Sequence, residues 1–262
     1  MSHGTTIITV DKLTARYGET LVLDAISFDV KRGEIFVILG GSGCGKSTLL
    51  KHMIGLYKPC SGDIRIGGSS VVASKGAEWD ALIRRFGVMY QSGALFGSMT
   101  LLENICLPLE EFTDLGKEAR ELVGRMKLSL VGLDKHAHLM PSEISGGMKK
   151  RAAIARAMAL DPEILFLDEP SAGLDPVTAA DLDELIIKLS RKLGITFVVV
   201  THELPSIYRI ADRVIMLDAR TKKIIAEGDP AVLRDTSANE WVRNFFNRKG
   251  QSTATTGEND EQ

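Results

Sequence analysis

Nine consecutive residues have the types and spacing of a loop that holds phosphate: Gly40-Gly41-Ser42-Gly43-Cys44-Gly45-Lys46-Ser47-Thr48. They fit the pattern G-x-x-x-x-G-K-[ST]. Glycines let the backbone wrap an anion with its N–H groups pointing inward. A helix that opens inside the loop adds positive potential at its N-terminus. Lys46 is placed to reach the β- and γ-phosphates of a nucleotide, and the Ser47 hydroxyl to ligate Mg²⁺. Cys44 is read as a small residue that fits a tight loop.

A second group lies at Ile164-Leu165-Phe166-Leu167-Asp168-Glu169. Four apolar residues carry a strand through a core and deliver two carboxylates at its C-terminal end. Ligand sites of open α/β sheets lie at that end. Asp168 can hold Mg²⁺ through a water, and Glu169 can polarise an attacking water as general base.

A third group is Ser145-Gly146-Gly147-Met148. Ser145 suits a helix N-cap. Two glycines at a helix start form another anion cradle. Two cradles with one phosphate loop suggest that the second serves the nucleotide of another chain.

The positioning elements follow from the patterning. Ile35 to Leu39 is an unbroken apolar run, the mark of a strand buried on both faces of a parallel sheet. It leads directly into the phosphate loop, and a helix begins near Lys46. Similar runs recur at Ile164–Leu167 and Thr196–Val200. Between these two lies a helix with Asp175 as N-cap, Pro176 at its first position and Gly194 as its stop. Leu182, Leu185, Ile186, Leu189 and Leu193 form its apolar stripe. Strand, helix, strand in that order predicts an α/β core with a mostly parallel sheet.

Thr6–Val10 and Leu21–Val30 read as strands, joined to the core by a turn at Lys31–Glu34. Residues 92–143 have few β-branched residues and read as helices inserted into the core, with Pro108 and Pro141 as breaks. Trp241, Val242, Phe245 and Phe246 form one face of a short helix, which either packs on its own chain or embraces a neighbouring copy. The stretch from Gly250 cannot bury a core and is predicted to be disordered.

With 262 residues, 44% hydrophobic and 25% charged, the composition is that of an ordinary globular protein. A net charge of −2 gives no global basic field for nucleic acid. Lys149-Lys150-Arg151 reads as a solvated helix face. The three cysteines have no metal-binding spacing and read as free thiols in a reducing compartment. Met1–Val10 lacks the pattern of a signal peptide, and no apolar run reaches membrane-span length.

The phosphate loop, Gln91, Ser145-Gly146-Gly147, Asp168-Glu169, Ser171-Ala172-Gly173-Leu174-Asp175 and His202 occur in the order seen in the nucleotide-binding subunits of ABC transporters. The chain resembles that family over about residues 6–230. The resemblance implies an α/β fold: a RecA-like phosphate-loop NTPase core, an N-terminal antiparallel β subdomain and an inserted α-helical subdomain. The core would comprise 6–91 and 146–235, the helical insertion 92–145, a C-terminal helical extension 236–249, and a disordered tail 250–262.

Residue roles are implied in the same way. Tyr17 resembles the aromatic that stacks on adenine. Gln91 resembles the glutamine that senses Mg²⁺ and couples to the permease. Ser145, Gly146 and Gly147 resemble the signature that grips the partner subunit's nucleotide. Asp175 resembles the aspartate of the cross-dimer loop, and His202 the switch histidine that contacts the γ-phosphate. The expected cofactors are ATP and Mg²⁺, and the expected assembly is a homodimer with integral membrane permease subunits.

The usual signature ends in Gln, where this chain has Met148. Together with Gln91-Ser92-Gly93-Ala94-Leu95-Phe96, this looks like the ATPase of Mla-type, MCE-associated phospholipid transporters. That likeness implies an MCE-domain lipid-binding partner, room for a small regulatory subunit, and a place at the cytoplasmic face of a bacterial inner membrane. Uptake of a small polar solute by the same motor is the alternative within transport. A soluble ABC ATPase acting in repair or translation is the alternative outside it, although such proteins usually carry long coiled coils or two nucleotide domains. A phosphate-loop kinase would leave Ser145–Gly147 and His202 without a role.

Overall fold

The computed structural model describes residues 4–248. The predicted disorder from Gly250 lies outside the described residues.

Two strands open the chain, β1 (Thr6–Tyr17) and β2 (Thr20–Lys31). They pair antiparallel, and β4 (Ser61–Ile66) and the short β5 (Ser69–Ser70) extend them into a four-stranded sheet ordered β2-β1-β4-β5. β1 runs well past the predicted end at Val10. Lys12 (φ 47°) and Ala25 (φ 50°) are left-handed, and the β1–β2 register shifts on this stretch. Such bulges let a strand continue through the polar Asp11-Lys12 step while Leu13 and Ala15 return to the core.

The second sheet has six strands in the order β10-β9-β3-β8-β7-β6. These are β3 (Ile35–Gly40), β6 (Phe86–Met89), β7 (Ile164–Asp168), β8 (Thr196–Val200), β9 (Arg213–Leu217) and β10 (Ile224–Gly228). All pair in parallel except β10, which is antiparallel to β9. β3 lies in the middle and is buried on both faces, as its unbroken apolar run requires. Ile35, Val37 and Leu39 face one core, while Phe36 and Ile38 face another. The second core joins the two sheets over α1 (Lys46–Met53). Arg213 ties the same junction: it pairs with Glu34 at 2.7 Å and with Glu227, and donates to the Asp29 carbonyl at 2.6 Å.

The first core lies under helices. After α2 (Ala77–Ile83) and β6 come α3 (Leu101–Phe112), α4 (Lys117–Leu130) and α5 (Gly146–Ala157). Pro108 does not break this region as predicted; it lies inside α3. A capping box starts α3, with Glu103 N–H donating to Thr100 Oγ1 at 3.2 Å and Thr100 N–H to Glu103 Oε2 at 2.7 Å. Buried Leu101, Ile105 and Leu109 then hold the helix despite the backbone bond a proline cannot make. Pro141 does fall at the start of a separate 3₁₀ turn, Pro141–Glu143.

α6 (Pro176–Leu193) begins and ends on its predicted signals. The Asp175 side chain accepts from the N–H groups of Val177 and Thr178, both at 3.0 Å, and Gly194 is left-handed at φ 69°. Its apolar stripe is buried from Leu182 to Leu189, but Leu193 in the last turn is half exposed. α7 (Leu204–Ile210), α8 (Pro230–Thr236) and α9 (Glu240–Phe246) complete the described elements. No helix among the described residues is long and apolar enough to cross a membrane.

Candidate nucleotide site

The C-terminal ends of β3, β6, β7 and β8 converge on an open cleft of about 790 Å³. The phosphate loop forms its floor. Gly40 has φ 147°, and a Cβ there would lie 2.4 Å from the Leu217 carbonyl oxygen and 2.5 Å from Cys44 Sγ. Gly45 has φ 102° and would meet Leu23 at 2.9 Å. These two positions therefore exclude side chains, and the loop's shape depends on that. Gly45 is also the N-cap of α1 and supplies no side-chain cap, which leaves the first-turn N–H groups turned to the loop. Lys46 Nζ is held at the loop by the carbonyls of Gly40 (2.9 Å) and Gly41 (3.1 Å). Cys44 is buried, and that burial pushes its thiol pKa up, as suits a packing residue more than a reactive one.

Asp168 and Ser47 meet across the floor, with Ser47 Oγ 3.5 Å from Asp168 Oδ1. Burial, and then the neighbouring Glu169, raise the Asp168 pKa. A hydroxyl beside a carboxylate disfavoured in its charged form is a donor set suited to a hard cation.

Glu169 itself is nearly buried and left-handed, φ 48°. For a non-glycine residue that conformation costs on the order of 1–2 kcal/mol. Its N–H donates to the Val200 carbonyl at 2.8 Å, which pins the turn to β8. Its Oε1 is 2.8 Å from His202 Nδ1, whereas Oε2 has no hydrogen-bond partner among the described residues. His202 Nε2 in turn lies 3.5 Å from Glu203. One carboxylate oxygen is thus oriented, and the other is buried without a partner among the described residues.

Tyr17, Gln91 and His202 also line the cleft. The Tyr17 ring is half exposed at the rim, and its hydroxyl lies 3.3 Å from Thr48 Oγ1. The loop after Gln91 is pinned from two sides. Arg156 donates to the carbonyls of Ala94 (2.7 Å) and Gly93 (3.1 Å). Fully buried Asn104 accepts from Phe96 N–H at 2.8 Å and donates back to its carbonyl at 3.1 Å.

Ser145, Gly146, Gly147 and Met148 are absent from the walls of this cleft among the described residues. Ser145 caps α5, accepting from Met148 N–H at 3.3 Å. The two glycines differ. Gly146 is exposed, but Gly147 is buried, and a Cβ on it would lie 2.4 Å from Thr178 Cγ2. The second glycine is therefore required by the packing of α5 on α6. Met148 is half-buried against the main core.

Two features escaped the sequence reading. Lys149-Lys150-Arg151 is not a solvated face: Lys150 is buried, and its Nζ donates to the Gln91 carbonyl and, at 3.4 Å, to that of Glu169. Its helical spacing with Gly147 and Ile154, both buried, was the available signal. The second is the reach of α9 to the nucleotide cleft; its packing on its own chain is one of the two expected arrangements. Val242 and Phe246 are buried, Phe245 lines the cleft, and Trp241 lies 3.8 Å from where a Gly41 Cβ would stand.

Residues 23–172 match the family described as ABC transporter. The chain is 41% identical over 229 residues to the intermembrane phospholipid transport system ATP-binding protein MlaF of Escherichia coli K12, spanning 87% of this chain and 84% of that one. It is also 41% identical, over 241 residues, to the probable ribonucleotide transport ATP-binding protein mkl of Mycobacterium leprae, spanning 92% and 68%. Among solved structures it is similar to dimeric MJ0796, a bacterial ABC transporter cassette, with a TM-score of 0.77, 32% identity, and 85% and 98% coverage. The same cassette in a post-hydrolysis state bound to ADP and Pi gives a TM-score of 0.76 at 30% identity, with the same coverage. With its two sheets in the arrangement of those cassettes and its phosphate loop in the expected cleft, the chain belongs to the ABC transporter family as an ABC-type ATPase subunit.

Proposed function

We propose that two copies of this ATPase close around two ATP molecules and drive a membrane permease that moves phospholipid between bacterial envelope membranes. The observation that carries the shared site is the separation of its halves. Lys46, Glu169 and His202 share one cleft, whereas Ser145–Met148 lie outside its walls.

In this reading Tyr17 stacks on the base, and Gly40–Thr48 wrap the phosphates. Lys46 moves from its carbonyl partners to the β- and γ-phosphates, exchanging neutral acceptors for charged ones. Ser47, Asp168 and Gln91 hold Mg²⁺, which supplies charge neutralisation at the phosphates. Glu169, oriented through Oε1 by His202, accepts the proton of the attacking water. His202 also reports on the γ-phosphate. Ser145, Gly146 and Gly147, followed by Met148, present the N-terminus of α5 to the nucleotide of the other copy, and Asp175 holds the cross-dimer loop. Residues 92–145 pass the motion to the permease at the cytoplasmic face of the membrane.

Phospholipid is favoured over a polar solute by two separate segments, Met148 in place of the usual glutamine and the Gln91–Phe96 loop. The likeness to MlaF supports the same reading. Phe96 is exposed on that loop, where an apolar contact with a permease fits. An MCE-domain lipid-binding protein is then the expected further partner, with room for a small regulatory subunit. The test is to purify the native membrane complex through this chain. A permease, an MCE-domain protein and bound phospholipid are expected. A solute-binding protein, or a bound ribonucleotide as transported cargo, would contradict the lipid assignment.

A further inference from the structure

Lys150 lies where α5 meets the chain just past the ends of β6 and β7, and none of the roles assigned above uses it. It stands one turn into α5, the helix that opens with Ser145-Gly146-Gly147. Its side chain turns inward, and the residue is 7% exposed. The ammonium donates to the Gln91 carbonyl, just past the end of β6, and to the Glu169 carbonyl, just past β7. β6 and β7 are neighbours in the sheet, so one cation bridges two adjacent strand ends.

A buried ammonium is costly unless its charge and donors are answered. Here burial lowers the Lys150 pKa, and the charges of Glu169 and then Asp168 oppose that shift. The two carbonyls answer its donors, and the charges of Glu169 and Asp168 offset part of the burial. The Glu169 turn is left-handed and needs external holds to persist. The Val200 carbonyl supplies one through the Glu169 N–H, and Lys150 supplies another through the carbonyl.

We propose that Lys150 is a positioning residue that locks the Gln91 loop and the Glu169 turn to α5, so that displacement of α5 or of the Gln91 loop changes where the Glu169 carboxylate points. A rigid bracket of this kind makes water activation depend on both the partner-facing helix start and the permease-facing loop. Loss of the bracket leaves the phosphate loop intact, because among the described residues Lys150 makes no hydrogen bond to Gly40–Thr48. The proposal rests on Glu169 acting as the base.

The experiment compares the wild type with Lys150→Met, which keeps the length and apolar stem but has no donor. ADP affinity is read by calorimetry, turnover by phosphate release, and local order by amide hydrogen exchange. ADP affinity is expected to stay within about twofold and the melting temperature within a few degrees. The catalytic rate is expected to fall about tenfold to a hundredfold, as for a misplaced catalytic group. Exchange is expected to rise together at residues 90–96 and 169–171. Lys150→Gln, which restores a donor, should recover part of the rate. If Lys150→Met does not fold, Lys150→Gln carries the comparison, with the same signs and smaller size. Wild-type turnover with unchanged exchange overturns the proposal. So does a uniform loss of ADP binding and melting temperature, which marks a merely structural residue. Glu169→Gln, run alongside, separates the two readings. If it turns over normally, the assignment of Glu169 fails, whatever Lys150 does.

Discussion

The Nδ1 atom of His202 lies 2.8 Å from Oε1 of Glu169, and this contact joins the end of β8 to the end of β7 at the floor of the nucleotide cleft. It leaves one Glu169 oxygen oriented and the other without a partner among the described residues. Glu169→Gln keeps the shape and removes the base. It should bind ATP, dimerise, and hydrolyse at least about a hundredfold more slowly, within the range for loss of a general base. Single-turnover assays with purified protein read this directly, and near-normal turnover would take Glu169 out of the mechanism.

Gly147 should tolerate no side chain while Thr178 is in place. Thr178 cannot easily rotate away, because its Oγ1 donates to Asp175 at 2.5 Å. Gly147→Ala is expected to cost about 1–3 kcal/mol through overpacking. Thr178→Ser removes the clashing methyl and should restore most of that loss in the double variant. Denaturant melts of the four proteins in the cycle check it. An additive outcome would show that the contact is not the cause.

Arg213 holds the joint between the two sheets through Glu34, Glu227 and the Asp29 carbonyl, with its guanidinium 4.9 Å from the centre of the Phe36 ring. Arg213→Met leaves these partners without their cation. The expected loss is about 3 kcal/mol, the cost of breaking a largely buried pair. A melting temperature unchanged within a degree would contradict that role.

Glu163 links Arg32, in the turn after β2, to Arg85 before β6. Burial alone would raise its pKa, but hydrogen bonds from Arg32 and Arg85 overcome that and hold it below the ordinary 4.5. A depressed carboxylate pKa means that the unfolded chain binds the proton more readily. The stabilisation is therefore full above about pH 4.5 and is lost as pH falls toward the folded pKa. The melting-temperature difference between wild type and Glu163→Gln should be flat from pH 6 to 8, by the same linkage, and shrink under acid. A difference that grows on acidification would give the opposite sign and refute the assignment.

The chain has two tryptophans, and Trp241 rests on the phosphate loop at Gly41. Trp79→Phe leaves Trp241 as the sole reporter. Its emission should change saturably with ADP, and the change should vanish in Lys46→Ala. A silent Trp241 would mean that α9 does not lie on the loop in solution.

Residues that act as neighbours in sequence were legible before the structure. Gly40–Thr48 could be read because the backbone of one loop does the work, and β3 ahead of it announced itself by burial on both faces. α6 was legible at both ends because Asp175, Pro176 and Gly194 act locally. What stayed hidden depends on distant parts of the chain meeting. Lys150 sits in a run of cations whose average reading is a wet surface, and only the approach of β6 and β7 gives its charge a buried partner. Asn104 looks like an ordinary helix polar residue until the Gln91 loop folds over it. β6 carries a weak strand signal, because Gly87 interrupts its short apolar run. That glycine is there because the Ala157 carbonyl oxygen of α5 would lie 1.9 Å from any Cβ. Pro108 misled for the complementary reason: a local rule predicted a break, and the packing of α3 overrode it.

Hydrolysis per chain as a function of dilution tests the shared site most directly. If Ser145–Gly147 of one copy must complete the cleft built on Lys46 and Glu169 of the other, specific activity should collapse as the protein is diluted through the dimerisation range. ADP binding to each chain should persist. Specific activity that stays constant far below that range would show that one chain carries a complete site and would contradict the shared-site mechanism.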